Sequence, residues 1–162
     1  GFEPRRAFGY YWCKAYWPGV KDSIIPTVLH RYGGVFVDAD CVRLRPWDSA
    51  PFMEAAGFAG RTEPHPGQPD RLSVSIVGAE PGSAVMADWR TRLKNLTEFE
   101  PEWDTMIPPL ADAAANHPDF LKLPQGVFYP VGLRGHRDDS VEPYAEHYWG
   151  TTRNLYARRS AR

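Results

Sequence analysis

The hexapeptide Val35-Phe36-Val37-Asp38-Ala39-Asp40 constrains this chain more than any other stretch. Three apolar residues in a row read as a strand, and the strand ends in two carboxylates one alanine apart. A buried strand tolerates such charge only where a cation, a proton or water compensates it. Ahead of the run stands Gly33-Gly34, which stops a helix expected from Val20 to Tyr32. Ile24, Val28, Leu29 and Tyr32 recur there at helical spacing, with Asp22 or Ser23 as cap and Pro26 acceptable only in the first turn. The glycine pair is expected to supply a positive φ and a close approach of backbone to ligand. A wholly apolar run suits a strand covered on both faces. In open α/β sheets the carboxyl ends of strands border the ligand crevice, which makes Asp38 and Asp40 candidate site residues.

The remaining pattern extends an α/β layout. Strands are expected at Gly57–Gly60, Leu72–Val77, Phe120–Leu123, Val127–Tyr129 and Tyr144–Trp149, and helices at Ser83–Leu96 and Asp104–Asn116. The opening FGYYWCKAYW is too aromatic for a solvated loop and reads as a buried strand or docked helix ended by Pro18-Gly19. Thr62 to Asp70 is a proline-rich loop suited to the rim of a site. With 162 residues, 43% of them hydrophobic, the chain can bury a core as one domain spanning 1–162. The formal net charge of −1 supplies no field for nucleic acid or an anionic membrane, and the four arginines from Arg153 to Arg162 read as a solvated end. Cys13 and Cys41 lack ligand spacing and a secretory context, so a reduced compartment is expected. No stretch approaches the length of a membrane span, and a soluble cytoplasmic protein follows as the expectation.

Asp38-Ala39-Asp40 admits three chemistries. Both acids can be turn and cap residues satisfied by amides and water. They can hold Mg²⁺ or Mn²⁺ through hard oxygen ligands while substrate phosphates fill other positions. Alternatively, Asp38 is a nucleophile that forms an aspartyl phosphate, with Asp40 as acid and base. In that third case VFVDADCV resembles the first motif of haloacid dehalogenase-type phosphatases, with Asp138-Asp139 as the later acidic pair.

A longer set of residues favours the metal. Lys21-Asp22, Leu29, Tyr32-Gly33-Gly34, Val35 to Asp40 and Leu44-Arg45-Pro46, in this order and spacing, resemble the DXD-sugar glycosyltransferases. That group contains yeast-type mannosyltransferases, capsular polysaccharide transferases and the clostridial glucosylating toxins. The likeness continues through Ile76 to Gly82, Val127-Phe128-Tyr129-Pro130 and Tyr144-Ala145-Glu146-His147-Tyr148-Trp149, covering roughly Lys21 to Arg153.

The resemblance implies a GT-A-like, Rossmann-like α/β fold with a mixed sheet and flanking helices. It implies an Mn²⁺- or Mg²⁺-dependent hexosyl transfer from a UDP- or GDP-sugar to an acceptor the sequence leaves unknown, with retention of anomeric configuration. The metal would lie on Asp38, Asp40 and His147, with Asp38 and Asp40 as the catalytic pair. Substrate contacts would involve Gly33, Gly34, Ser75, Trp149 and Thr152; Trp149 either lines the sugar pocket or belongs to the core, and Asp22 either meets sugar hydroxyls or caps its helix. His30, His65, His117 and His136 are read as structural. Departures from the pattern are Ile25 in place of an Arg that would help hold the sugar nucleotide, Ser75 for Asn, Thr152 for Ser and Arg153 for Trp. Only 37 residues precede Asp38, too few for two βα units, so a shortened nucleotide end is expected. A homo-oligomer that covers FGYYWCKAYW follows from it. A transferase-like module that binds without catalysis is the third reading, beside the transferase and the phosphatase.

Overall fold

The computed structural model describes residues 17–63, 71–95 and 108–149. The aromatic segment 8–16, most of the proline-rich loop and Thr152 lie outside the described residues. Helix α1 spans Trp17–Tyr32, followed by strands β1 (Gly34–Val37) and β2 (Cys41–Arg43). A short 3-10 turn, Pro51–Glu54, leads into β3 (Gly57–Arg61) and β4 (Leu72–Ala79). Then come α2 (Ala84–Lys94), α3 (Pro108–Ala115), β5 (Phe120–Leu123), α4 (Gln125–Phe128) and β6 (Ala145–His147).

Four strands form a mixed sheet in the order β1-β4-β3-β5, antiparallel except for the β3/β5 pair. β2 and β6 form a separate antiparallel pair. The architecture is therefore mixed α/β. One face of the large sheet packs under α1, α2 and α3 through Ile25, Leu29, Val77, Met86, Trp89 and Leu110. The other face carries an aromatic core of Phe52, Phe58, Phe128, Tyr129 and Trp149, into which the β2/β6 pair is bound through Ala145. Phe52 sits at its centre, with ring centroids 4.8 Å from Phe58, 5.2 Å from Phe128 and 5.0 Å from Tyr144. Such offset and edge-on rings bury large areas while keeping fixed geometry.

Several sequence expectations require correction. The first helix begins at Trp17, so Pro18-Gly19 lies inside it and Asp22 is past the capping position. Pro26 lies in the helix interior, where its missing N–H leaves the carbonyl of Asp22 without its usual helical donor. Its buried stripe is Asp22, Ile25, Pro26 and Leu29, whereas Val28 and Tyr32 are exposed. The expected strand at 127–129 is instead the end of α4, closed by Tyr129 N–H donating to Gln125 O at 2.8 Å. A short apolar run does not distinguish strand from buried helix, and here Phe128 and Tyr129 supply the aromatic core from a helical turn. β1 is an edge strand among the described residues: Phe36 packs on the helical core and Val35 on the aromatic core, while Gly34 and Val37 at its ends are exposed.

The turn from α1 to β1 depends on glycine. Gly33 N–H closes the helix on Leu29 O at 2.8 Å, and Gly33 and Gly34 adopt φ of 65° and 97°. The close approach at Gly33 is to Pro81, since a Cβ there would lie 2.5 Å from Pro81 Cδ. We expect Gly33→Ala to lower stability by about 2 to 4 kcal/mol, the sum of left-handed strain and overlap. Urea unfolding would measure it, and a loss below about 0.5 kcal/mol would mean the turn relaxes freely.

Candidate functional site

The site is built at the carboxyl end of β1, where β4 departs from regular pairing. Ala59 pairs with Val77 and Arg61 with Leu72, so Gly60 faces the whole segment 73–76. The serines of this segment hold the bulge, Ser75 N–H donating to Ser73 Oγ at 3.1 Å. Ser75 O in turn accepts from Asp38 N–H at 2.8 Å, fixing the backbone of the first carboxylate. Ser75 is buried, and its visible role is to seat Asp38.

Alternation along β1 sends Phe36 and Asp38 toward the helical face, where α1 presents Lys21 and Asp22. Lys21 Nζ donates to both oxygens of Asp38, at 2.8 and 3.1 Å, and lies 3.0 Å from Asp22 Oδ1. Its ammonium also stands 5.6 Å from the centroid of the Phe36 ring. Asp22 is 1% exposed. Burial pushes its carboxyl up to about 6, against the pull of Lys21. The ammonium's two hydrogen bonds go to Asp38, and burial remains the larger influence on Asp22. For Lys21 burial opposes the charge, but Asp22 and Asp38 together outweigh it and hold the ammonium above the usual lysine range.

A second group converges on Asp40. β2 and β6 pair so that Cys41 stands opposite His147. The pair is secured beyond the strands by Leu44 N–H and the Trp47 indole N–H, both donating to Tyr144 O, and by the Arg45 guanidinium, which stacks 3.8 Å above the Tyr144 ring and bonds Glu142. His147 Nε2 lies 3.1 Å from Asp40 Oδ1 and 4.0 Å from Asp38 Oδ2. Asp40, Cys41 and His147 each offer a donor atom within 4.8 Å of the others. His147 is 7% exposed and sits edge-on to Trp149, ring centroids 4.2 Å apart. Burial pushes its imidazole below the usual histidine range, outweighing the attraction of Asp40 and Asp38.

Trp149 adopts φ of 54°, a costly conformation for an aromatic residue, and its N–H donates to His147 Nδ1 at 3.3 Å. The neutral imidazole thus keeps its proton on Nε2, directed at Asp40. A metal on Nε2 requires that proton to move to Nδ1 and the Trp149 contact to be given up, at a cost of about 1 kcal/mol. The Trp149 indole N–H donates to Val131 O at 2.8 Å, and its ring is buried against His147 and Tyr129.

This chain matches no family model and no curated protein.

Of the residues singled out from sequence, the structure brings Asp22, Asp38, Asp40, Ser75, His147 and Trp149 into one neighbourhood, with Gly33 and Gly34 at the opposite end of β1. Asp138 stands in a different setting: its carboxylate accepts from the backbone N–H groups of Gly126 and Ser140. Sequence reasoning missed Lys21 and Cys41. Both adjoin acids already singled out, and a cation beside Asp22 was the available signal for Lys21.

Asp22 generates a pH prediction. Between about pH 4 and 6 the folded protein holds a proton that the unfolded chain has lost, so stability falls as pH rises through this window. At about 1.4 kcal/mol per unit the decline is about 2 to 3 kcal/mol. Asp22→Asn removes it. Urea unfolding of both proteins from pH 4 to 7 should show the stability difference moving in favour of the variant up to about pH 6 and constant above. Parallel curves would refute dominance of burial over Lys21.

Proposed function

We propose that this chain carries a metal-dependent glycosyltransferase site that takes a nucleotide-diphosphate sugar as donor and transfers the sugar with retention. The observation that carries this reading is the meeting of Asp38 and Asp40 with His147, a residue from the far end of the chain, beside a lysine at the carboxyl end of β1. Asp38, Asp40 and His147 are the metal set that the resemblance to the DXD-sugar glycosyltransferases implies.

The carboxylate of Asp40 and the imidazole of His147 suit Mn²⁺ or Mg²⁺, with Asp38 close by. The ion, when bound, neutralises negative charge on the leaving diphosphate. The chain's own residues divide the remaining work. Lys21 carries a partly exposed ammonium on flexible methylenes and can leave Asp38 for the diphosphate, so it supplies the positive charge that Ile25, packed in the core, does not. Asp22, walled off from solvent, acts through Lys21 by holding its ammonium near the crevice. Trp149 fixes the orientation of His147.

The phosphatase reading is less well supported. Asp138 is spent on capping amides.

The deciding experiment is a thermal-shift and hydrolysis screen of UDP- and GDP-sugars with and without Mn²⁺. We expect a metal-dependent shift that Asp40→Asn abolishes while leaving the unfolding temperature of the free protein within a few degrees. Lys21→Met should weaken donor binding roughly tenfold, the loss of one charge-assisted contact. No shift with any donor would favour a non-catalytic module, and an acid-labile phosphoryl group on Asp38 would establish the phosphatase.

A further inference from the structure

We propose that Cys41 is a metal ligand and that the group Asp40, Cys41 and His147 forms a site for a thiophilic divalent ion, Zn²⁺ before Mn²⁺ or Mg²⁺. The inference begins with the β2/β6 pairing. Cys41 and His147 are direct cross-strand partners, and Asp40 immediately precedes Cys41, so one antiparallel pair positions all three donors. Donor atoms within 4.8 Å of one another reach one ion after the side chains close by about 1 Å, since bonds of about 2.0 to 2.3 Å set tetrahedral ligands about 3.3 to 3.8 Å apart.

The chemistry of the set selects the metal. One carboxylate, one imidazole and one thiolate form a three-ligand arrangement of borderline-soft character with a position left open. Hard ions of the Mg²⁺ and Mn²⁺ kind prefer oxygen, and while no donor draws Lys21 away the second oxygen donor they would recruit, Asp38, is engaged by Lys21 through both oxygens. Ligation releases the Cys41 thiol proton to solvent, while the imidazole proton moves from Nε2 to Nδ1.

This inference deepens the transferase reading by naming the ion its site prefers, but it is tested on the metal alone. The full-length, metal-free protein would be titrated with Co²⁺, Zn²⁺ and Mn²⁺ in the absence of any donor. Co²⁺ should produce the near-ultraviolet charge-transfer absorption of a cobalt–thiolate bond, and Zn²⁺ should displace it. Cys41→Ser should abolish that absorption and weaken Zn²⁺ binding at least tenfold, while Mn²⁺ affinity stays within about twofold; Cys13→Ser should retain the absorption. That selectivity matters because Zn²⁺ outbinds Mn²⁺ at almost any nitrogen and oxygen site. Should Cys41→Ser fail to fold, the wild-type absorption and its response to Cys13→Ser still decide. Absence of the absorption in wild type, its loss in Cys13→Ser, its persistence in Cys41→Ser, or an equal loss of Zn²⁺ and Mn²⁺ affinity would each overturn the proposal. Failure here with a donor-dependent Mn²⁺ shift intact leaves a transferase that uses a hard ion, whereas a cobalt–thiolate signal without donor binding leaves a metal site with another use.

Discussion

The ammonium of Lys21, shared between Asp22 and Asp38, ties the first helix to the carboxyl end of β1. Two carboxylates approach each other there at the boundary of the core, one of them almost fully buried. Without a cation between them, burial and mutual repulsion would drive one to neutrality or open the helix away from the strand. With it, Asp22 joins the same helical stripe as Ile25 and Leu29, and Asp38 stays in its strand-end position with its backbone N–H on Ser75 O. The strand therefore ends in a usable charge. The cost is that Asp38 carries its own counterion, which lowers its value to any incoming metal.

A second constraint operates on the opposite face. The aromatic core around Phe52 anchors the β2/β6 pair, and that pair delivers His147 to Asp40. Arg45, Trp47 and Leu44, just beyond β2, converge on Tyr144 just before β6, so the two segments are gripped at their shared end. The left-handed Trp149 then directs its N–H back to His147 and selects the imidazole tautomer. Rigid support of this kind is what keeps a site in working geometry. The serine-held bulge of β4 serves the same end on the large sheet, since it lets one fully buried strand pair with β1 and β3 while placing Ser75 O beneath Asp38.

Taken together, the site has two halves of different chemical character. The helical half, Lys21 with Asp22 and Asp38, is an ion-paired, hard-charge assembly suited to phosphate and sugar oxygen. The β2/β6 half, Asp40 with Cys41 and His147, gathers three donor atoms that could hold a metal ion. Asp38 and His147, 4.0 Å apart, form the seam between them. A nucleotide-diphosphate sugar has complementary parts for both halves, which is the physical sense of the proposed transfer reaction.

Much of this could be read directly from sequence, because local patterns are local physics. Val35 to Asp40 declared a strand ending in acids, Gly33-Gly34 declared the turn before it, and the periodicity of Val85, Met86, Trp89 and Leu93 declared α2. His147 was legible through its neighbours Tyr144 and Trp149, not through spacing to any other ligand. What periodicity misread was decided by burial: α1 buries Asp22 and Ile25 while exposing Val28 and Tyr32, and α4 stands where a short apolar run suggested a strand. Only tertiary structure made Lys21 the counterion of Asp38, set Cys41 across from His147 and fixed the tautomer through Trp149. The first two contacts join residues distant in the chain and the third depends on the left-handed turn at Trp149, and their energies depend on distance and burial, which a sequence read one segment at a time does not contain.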